Sequence, residues 1–481
     1  MKNYFKLLST PLLLLVSLLF LSSCSNDSDT PDLSGESKQY VLFTKSNPAI
    51  SGNVTFAKKS DGTTLVTIQL TGTTTGGNHP AHIHANSAAQ SGDIIVDLNP
   101  IDGRTGKSET IISALKSGSK VTYEQLINLD GYINVHQSAT DLATLIAQGD
   151  IGINELTTTS KTYALSSVSN PAVSGTAKFT KRVSGKTLVS LALTGTTAGV
   201  SSIAHIHLNT VAQTGEVVVD LTAVNGSTGK SETSVNKLNS GGEITYDEFL
   251  NFNGYINVHQ SATAISTLIA QGDIGKNELT TTSKTFPLAA VSNPAISGTA
   301  KFTKRVSGET LVSIALTGTT AGVSSPAHIH LNSAAQGGAI AIDLTAVTGA
   351  TGKSETSISK LNNGNAITYD GLLNFNGYIN VHESAANLST LIAQGNIGSN
   401  AVTATTINYN VTNSGSASYI FTGNSLNNSS NPNLTLQRGR TYTFTLNTPG
   451  HPFLIKTTQI TGTTNTYSTG VTNNGASNGT L

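Results

Sequence analysis

The chain contains very little cysteine and little charge, and each shortage excludes a class of protein. Cys24 is the only cysteine in 481 residues, so internal disulfides, thiolate metal sites and cysteine nucleophiles are excluded. Charged residues are 11% of the chain and the formal net charge is zero, whereas typical domains have about 25% charged residues. This balance argues against nucleic-acid binding and against docking on membranes through a polybasic patch.

Long apolar runs are also scarce, and the one at the N-terminus is too short to span a membrane. Residues 7–21 are mainly apolar and follow two lysines. The segment leads into Leu21-Ser22-Ser23-Cys24, which resembles a bacterial lipobox. The resemblance implies that residues 1–24 are a lipoprotein signal peptide, that Cys24 carries the lipid and that 25–37 form a flexible tether. Serine, not aspartate, follows the cysteine, which favours the outer membrane or cell surface. An ordinary secretory signal with a chance cysteine is the alternative.

Repetition is what the chain has in abundance. Nine of its 11 histidines form one constellation that recurs three times at a step of 123 residues, and each His-x-His precedes a third histidine by 52 residues. A fixed step of this kind indicates a tandem array of one domain type. The three sets are His82, His84 and His136; His205, His207 and His259; and His328, His330 and His382.

The three copies are predicted to be all-β. Alternating apolar residues, as in 64–70, predict strands with one buried face, and Asp61-Gly62 predicts a hairpin turn. A short helix is expected around residues 123–127. Many short strands separated by Gly, Asn and Ser turns predict an antiparallel β-sandwich or barrel in each copy, and tandem Greek-key β-sandwich domains are expected. Their expected bounds are 38–160, 161–284 and 285–408.

Strand parity predicts that the three histidines of a copy lie on one outer face. Residues i and i+2 of a strand face the same side, so His82 and His84 project together while Ile83 enters the core. If the strand that carries His136 is a neighbour, three imidazoles converge on a copper or zinc site with an open position. Asp97, with Asp220 and Asp343 in the other copies, is a candidate to orient a histidine. The alternative is a structural role, in which the histidines bond to loop backbone.

Each copy resembles the CHRD domain, a module found in chordin and in bacterial secreted proteins. The residues that carry the resemblance are Pro80-Ala81-His82-Ile83-His84 and Gly131-Tyr132-Ile133-Asn134-Val135-His136, with their equivalents in the other copies. It covers nearly all of 38–408 and implies an extracellular β-sandwich without an established enzyme activity. The segment 148–152 departs from the usual ending of the family.

A second resemblance is to the copper/zinc superoxide dismutases. Their copper strand also carries His-x-His, and Val381-His382-Glu383 looks like a later strand of that fold. The resemblance implies copper on the outside of a barrel. A bridging histidine, a zinc-ligand cluster, a cysteine pair and a positioned arginine are not visible in the sequence, so kinship of fold is expected rather than dismutase activity.

Residues 411–481 differ from the copies and resemble the start of a cupredoxin domain. His451, in Pro449-Gly450-His451-Pro452-Phe453, matches the first copper ligand of that family. The later ligands are not in the sequence, so a truncated cupredoxin-like segment is expected. A blue-copper centre is excluded, because no thiolate is present to bind the metal.

Three functional hypotheses follow. The first is a lipid-anchored, non-enzymatic surface protein that binds copper or zinc through the three-histidine sets. The second is an adhesion or interaction scaffold with structural histidines, which presents loops to an extracellular protein or polysaccharide. The third is a copper oxidoreductase of the dismutase type.

Overall fold

The computed structural model describes residues 32–401, 406–436 and 440–481. The chain divides into a compact unit that ends at Glu155 and a second unit that runs from Leu156 to Leu481. The predicted signal peptide, Cys24 and most of the predicted tether lie outside the described residues. None of the helices found in the described residues is long and apolar enough to cross a lipid bilayer.

The first unit is an eight-stranded antiparallel sheet that closes into a barrel, here called barrel 1. Its strand order, β1-β2-β3-β6-β5-β4-β7-β8, contains Greek-key crossovers. The elements are β1 (Leu33–Thr44), β2 (Ser51–Lys59), β3 (Thr64–Thr71), β4 (Asn78–Ala85), β5 (Ile94–Asp102), β6 (Lys107–Ile112), α1 (Tyr123–Ile127), β7 (Asp130–Ser138) and β8 (Asp141–Gly152).

Barrel 2 repeats this topology in the second unit. Its strand order is β9-β10-β11-β14-β13-β12-β15-β16, and β16 pairs with β9 to close the ring. The elements are β9 (Leu156–Ser167), β10 (Ser174–Arg182), β11 (Thr187–Thr194), β12 (Ser201–Leu208), β13 (Val217–Asn225), β14 (Lys230–Val235), α2 (Tyr246–Phe249), β15 (Asn253–His259) and β16 (Leu268–Gly275).

Barrel 3 has the same order again, from β17 to β24. Its elements are β17 (Leu279–Ala290), β18 (Ser297–Arg305), β19 (Thr310–Thr317), β20 (Ser324–Leu331), β21 (Ile340–Thr348), β22 (Lys353–Ile358), α3 (Tyr369–Leu373), β23 (Asn376–Ser384) and β24 (Asn387–Gly398). The all-β, antiparallel prediction is confirmed. Each sheet closes into a barrel, because its first and last strands pair and leave no free edge.

The first strand of each barrel starts earlier than the sequence indicated. The segment 33–37, expected to be tether, belongs to β1, and the expected boundaries 160/161 and 284/285 lie inside β9 and β17. The first half of β1 is rich in Ser, Glu and Lys and is almost entirely exposed. It lacks the alternation of apolar residues by which a strand is recognised.

Each barrel has its own apolar core, built from the inward positions of its strands. In barrel 1, Phe56, Ile83 and Ile133 are completely buried. The helix α1 begins at a capping box in which Thr122 and Gln125 bond each other's backbone, and it places Leu126 in this core. Ile83 and Ile133 therefore face inward as strand parity predicted, and their neighbours His82 and Asn134 face outward.

The C-terminal region forms a separate mixed sheet in the order β27-β26-β25-β28-β29. Strands β25 and β28 are parallel, whereas the other pairs are antiparallel. The alternation in residues 433–444 predicts a pair of strands with a glycine turn. Residues 442–444 lie in a strand, whereas residues 433–436 form none. The elements are β25 (Ile407–Ser414), β26 (Ser418–Gly423), β27 (Leu426–Ser430), β28 (Tyr442–Asn447) and β29 (Asn478–Thr480).

Candidate metal centre

In barrel 1, neighbouring strands bring the three histidines of the sequence motif together. Strand β4 carries His82 and His84, and it pairs with β7 so that His82 lies opposite Asn134. A register shift after Val135 precedes His136 on β7. The ring centroids of His82 and His136 are 5.1 Å apart, and those of His82 and His84 are 5.9 Å apart.

The same cluster recurs in barrels 2 and 3, with centroid distances of 5.1–5.9 Å. In each triad, one ring nitrogen from every histidine lies within 4.8 Å of the other two, so each triad could hold a metal ion. The first histidine of each triad is half-buried and the other two are buried. The outer face of the barrel is therefore covered at this point.

Backbone carbonyls fix the tautomer of the second and third histidines. In barrel 1, His84 Nδ1 lies 2.9 Å from the carbonyl of Gly92, and His136 Nδ1 lies 2.7 Å from that of Leu142. A carbonyl oxygen only accepts, so Nδ1 carries the proton and donates it, and Nε2 keeps its lone pair. The equivalent acceptors are Gly215 and Ile265 in barrel 2, and Gly338 and Leu388 in barrel 3.

Glycine is required at the acceptor position of the second histidine. A Cβ at Gly92 would stand 2.0 Å from the carbonyl oxygen of Ala85, and the same clash occurs at Gly215 and Gly338. No side chain fits where the loop approaches the end of the strand so closely. Sequence reasoning missed these glycines, although each follows its His-x-His by eight residues.

The first histidine is turned the other way. His82 Nε2 faces Asp97 at 3.9 Å, and the equivalent distances are 3.5 Å for His205–Asp220 and 3.8 Å for His328–Asp343. Asp97 lies directly across the β4–β5 pair from His82. The carboxylate favours a proton on Nε2 and leaves the lone pair of Nδ1 aimed at the other two rings. The sequence-based candidate role of the aspartates agrees with this placement.

The inward ring nitrogens are buried without a hydrogen-bond partner in barrels 2 and 3. The atoms concerned are Nδ1 of His205 and His328, and Nε2 of His207, His259, His330 and His382. In barrel 1, His82 Nδ1 and His136 Nε2 approach each other at 3.2 Å. Buried polar atoms normally have a partner. Nitrogen lone pairs that converge without a hydrogen-bond partner are arranged as the ligands of a metal ion would be.

Burial disfavours the charged form of the first histidine in every triad. Loss of hydration is the main cause that lowers the pKa of His82, His205 and His328, and the neighbouring imidazole of the triad lowers it further. Burial also lowers the pKa of His259. The unprotonated imidazole is the form that binds metal, so protons compete weakly for these nitrogens near neutral pH.

Tyrosine and asparagine side chains complete the wall of the site. The ring of Tyr132 stacks on His84 at 4.8 Å, with the same pairing of Tyr255 with His207 and Tyr378 with His330. Asn134 is buried, and its amide lies 3.5 Å from His84 Nε2. Sequence reasoning missed the role of the asparagine. It occupies the outward position between Tyr132 and His136.

The two histidines outside the repeat lie apart from these clusters. His79 is buried, and its Nδ1 donates to the carbonyl of Gln137 at 2.8 Å. The matching residue of barrel 2, Ser202, donates to the carbonyl of Gln260 in the same way. His451 follows a turn in the C-terminal region, and its N–H donates to Thr448. Among the described residues, no group of three ligands includes His79 or His451.

Residues 33–141 match the CHRD domain family. The matched segment runs from β1 into the start of β8 and contains the whole triad of barrel 1. Barrels 2 and 3 lie outside the matched residues but repeat its strand order and its triad. No curated protein and no solved structure matches the chain.

Proposed function

We propose that the chain is a non-enzymatic, lipid-anchored protein of the cell surface or outer membrane whose three barrels each bind one copper or zinc ion. The observation that carries the metal proposal is the convergence of three ring nitrogens in every barrel, which in barrels 2 and 3 are buried and without hydrogen-bond partners. Three imidazoles form a site typical of zinc and copper, and they leave a further position open.

A purely structural role explains only half of the hydrogen bonding. The bonds from His84 and His136 to backbone carbonyls hold two loops in place. The same bonds turn the opposite nitrogen of each ring inward. In barrels 2 and 3 that nitrogen has no partner, whereas a buried structural histidine normally has one. In a metal site the carbonyls have the usual supporting role, because they fix the tautomer and orientation of each ligand.

The triads are close to the geometry that a metal requires. Metal–nitrogen distances of about 2.0 Å allow two ligand atoms to be at most about 4 Å apart. The nitrogens of each triad lie within 4.8 Å of one another, so the rings need to close by less than about 1 Å. Changes of side-chain torsion are sufficient for such a movement.

Metal content of the purified chain tests this proposal. After incubation with Cu²⁺ or Zn²⁺ and removal of excess metal, we expect three equivalents, one for each triad. The combined variant His82→Ala, His205→Ala and His328→Ala should retain none. His79→Ser is the matched control, because serine occupies this position in the other barrels, and it should retain all three equivalents.

A further variant, His451→Ala, tests the sequence-based prediction that His451 is a ligand. A fourth equivalent that is lost in this variant would support that prediction. Metal at background level in the unaltered chain would overturn the metal proposal and leave the hypothesis of an interaction scaffold for an extracellular protein or polysaccharide. Superoxide dismutation by the loaded chain is a separate hypothesis, which a superoxide assay decides.

The anchoring proposal is supported by the lipobox-like segment that ends at Cys24. Lipid on this cysteine would tether the array to a membrane, where the barrels would meet metal ions outside the cell. Expression in a bacterial host with a radiolabelled fatty acid should label the chain and place it in the membrane fraction. Cys24→Ser should abolish the label and release the chain, and a labelled Cys24→Ser variant would contradict the proposal.

A further inference from the structure

The three triads are not equivalent, because a residue near the first histidine differs in charge between the barrels. Lys116 of barrel 1 occupies the position that Asn239 has in barrel 2 and Asn362 in barrel 3. The backbone N–H of each donates to the same point of the neighbouring strand, with bond lengths of 2.8–2.9 Å. The loop is therefore built alike in all three barrels, and only the side chain changes.

That side chain contacts the aspartate next to the first histidine. Lys116 Nζ lies 3.1 Å from the carboxylate of Asp97. In barrel 2 the amide of Asn239 donates to Asp220 at 3.0 Å, and in barrel 3 the amide of Asn362 donates to Asp343 at 3.0 Å. All three aspartates are held in place. Only Asp97 is held by a positive charge.

The charge matters because the aspartate lies behind a ligand histidine. A carboxylate near the outer N–H of an imidazole makes the inner nitrogen a better metal ligand, and loss of such a partner typically weakens metal binding by about 10–100-fold. An ammonium group on the carboxylate offsets this effect, and it also repels the incoming cation. Both consequences of Lys116 act in the same direction.

We propose that the three sites fall into two affinity classes for divalent copper or zinc, with barrel 1 the weaker site and barrels 2 and 3 the stronger ones. This inference rests on the proposed metal-binding function. The array would load barrels 2 and 3 first and barrel 1 only at higher metal concentration. Two classes of site widen the range of metal concentration over which one chain responds.

Variants of the full chain with one intact triad measure the sites of barrels 1 and 2 separately. His205→Ala with His328→Ala leaves only the site of barrel 1, and His82→Ala with His328→Ala leaves only that of barrel 2. Competition with a chelator for Zn²⁺, and separately for Cu²⁺, gives the affinity of each. We expect barrel 1 to bind about tenfold more weakly, at the low end of the effect of such partners.

Exchange of the single residue then tests the cause. Lys116→Asn should strengthen the site of barrel 1 by about tenfold, Asn239→Lys should weaken that of barrel 2 by a similar factor, and Lys116→Arg should change nothing. Other differences between barrels stay constant in each exchange. Because Lys116 and Asp97 are half-exposed, added salt should reduce the difference in metal affinity between the sites of barrels 1 and 2.

Equal metal affinities of the two single-site variants would overturn the inference. A difference in affinity that Lys116→Asn leaves unchanged would overturn it as well. Those results would leave the metal proposal intact. Absence of metal from every single-site variant, with far-ultraviolet circular dichroism unchanged, would instead overturn the proposed function itself. The two failures are therefore distinguishable in one set of measurements.

Discussion

Barrel 1 and barrel 3 have the same topology and the same triad but differ where β2 and β18 end. In barrel 1 the strand ends at Lys59, whose ammonium pairs with Asp61 of its own hairpin at 3.2 Å. In barrel 3 the matching residue is Arg305, whose buried guanidinium pairs with Asp273 of barrel 2 at 2.6 Å. One strand position is thus part of a hairpin in barrel 1 and part of a joint between barrels in barrel 3.

Asp273, the partner of Arg305, has two separate roles, one in its own loop and one in the contact between the barrels. Asp273 Oδ1 accepts the N–H of Val211 at 2.9 Å and stabilises a loop of its own barrel. In barrel 3 this acceptor is Asn396, which binds Ala334 in the same way at 2.8 Å. The loop therefore needs only an oxygen acceptor. The negative charge of Asp273 is needed for the joint.

Replacement of this charge is the strongest test of the comparison. Asp273→Asn preserves the loop acceptor but leaves the guanidinium of Arg305 buried without its counter-charge. Removing one partner of a buried pair typically costs about 3–5 kcal/mol. We expect faster hydrogen exchange in β16 and β18, measured by mass spectrometry, with a loss of protection of about this size.

The matched control is Asn396→Asp, which adds the same charge at the equivalent loop of barrel 3. It should change hydrogen exchange little, because the loop needs only an acceptor. A second comparison is Lys59→Ala, which removes a pair whose aspartate is exposed and should cost less than about 1 kcal/mol. Similar effects of Asp273→Asn and Asn396→Asp would show that the two loops do not differ as described.

Much of the fold was predictable, because the repeat length and the alternation of side chains along a strand can be read directly from the sequence. Repetition at 123 residues revealed three copies, and alternation placed Ile83 inward and His82 outward. Closure of the barrel was not predictable, because β1 meets β8 across more than 100 residues. The first half of β1 was missed for a different reason, since its exposed polar residues resemble a linker.

The candidate site was predictable as a set of residues but not as a geometry. Strand parity placed His82 and His84 on the same face, whereas the position of His136 depends on which strands are neighbours. Strand pairing also places Asp97 opposite His82, which its position in the sequence does not indicate. The glycine carbonyls that fix the tautomers are backbone groups, and their role depends on the path of the loop. The difference between Lys116 and Asn239 was visible in the repeats but had no meaning without the contact to the aspartate.

A second difference between the barrels lies in the core. Tyr40 of barrel 1 and Tyr163 of barrel 2 are replaced by Phe286 in barrel 3, and all three side chains are buried. The hydroxyl of Tyr40 donates to the carbonyl of Ile127 at 3.2 Å. Burial raises the pKa of Tyr40 and of Tyr163 to about 12. Barrel 3 has no ionisable group at this position.

Alkaline pH should therefore weaken barrels 1 and 2 more than barrel 3, an effect that is absent at neutral pH. An unfolded tyrosine loses its proton near pH 10, whereas Tyr40 and Tyr163 keep theirs to about pH 12. Their contribution to stability is complete below about pH 10 and is lost as the pH rises toward 12, because the unfolded state binds fewer protons in that window. Urea midpoints over this range should fall less steeply for Tyr40→Phe with Tyr163→Phe than for the unaltered chain, and more steeply for Phe286→Tyr. Equal slopes in all three chains would mean that the buried hydroxyls reach solvent when they ionise, and the difference between the cores would then have no electrostatic consequence.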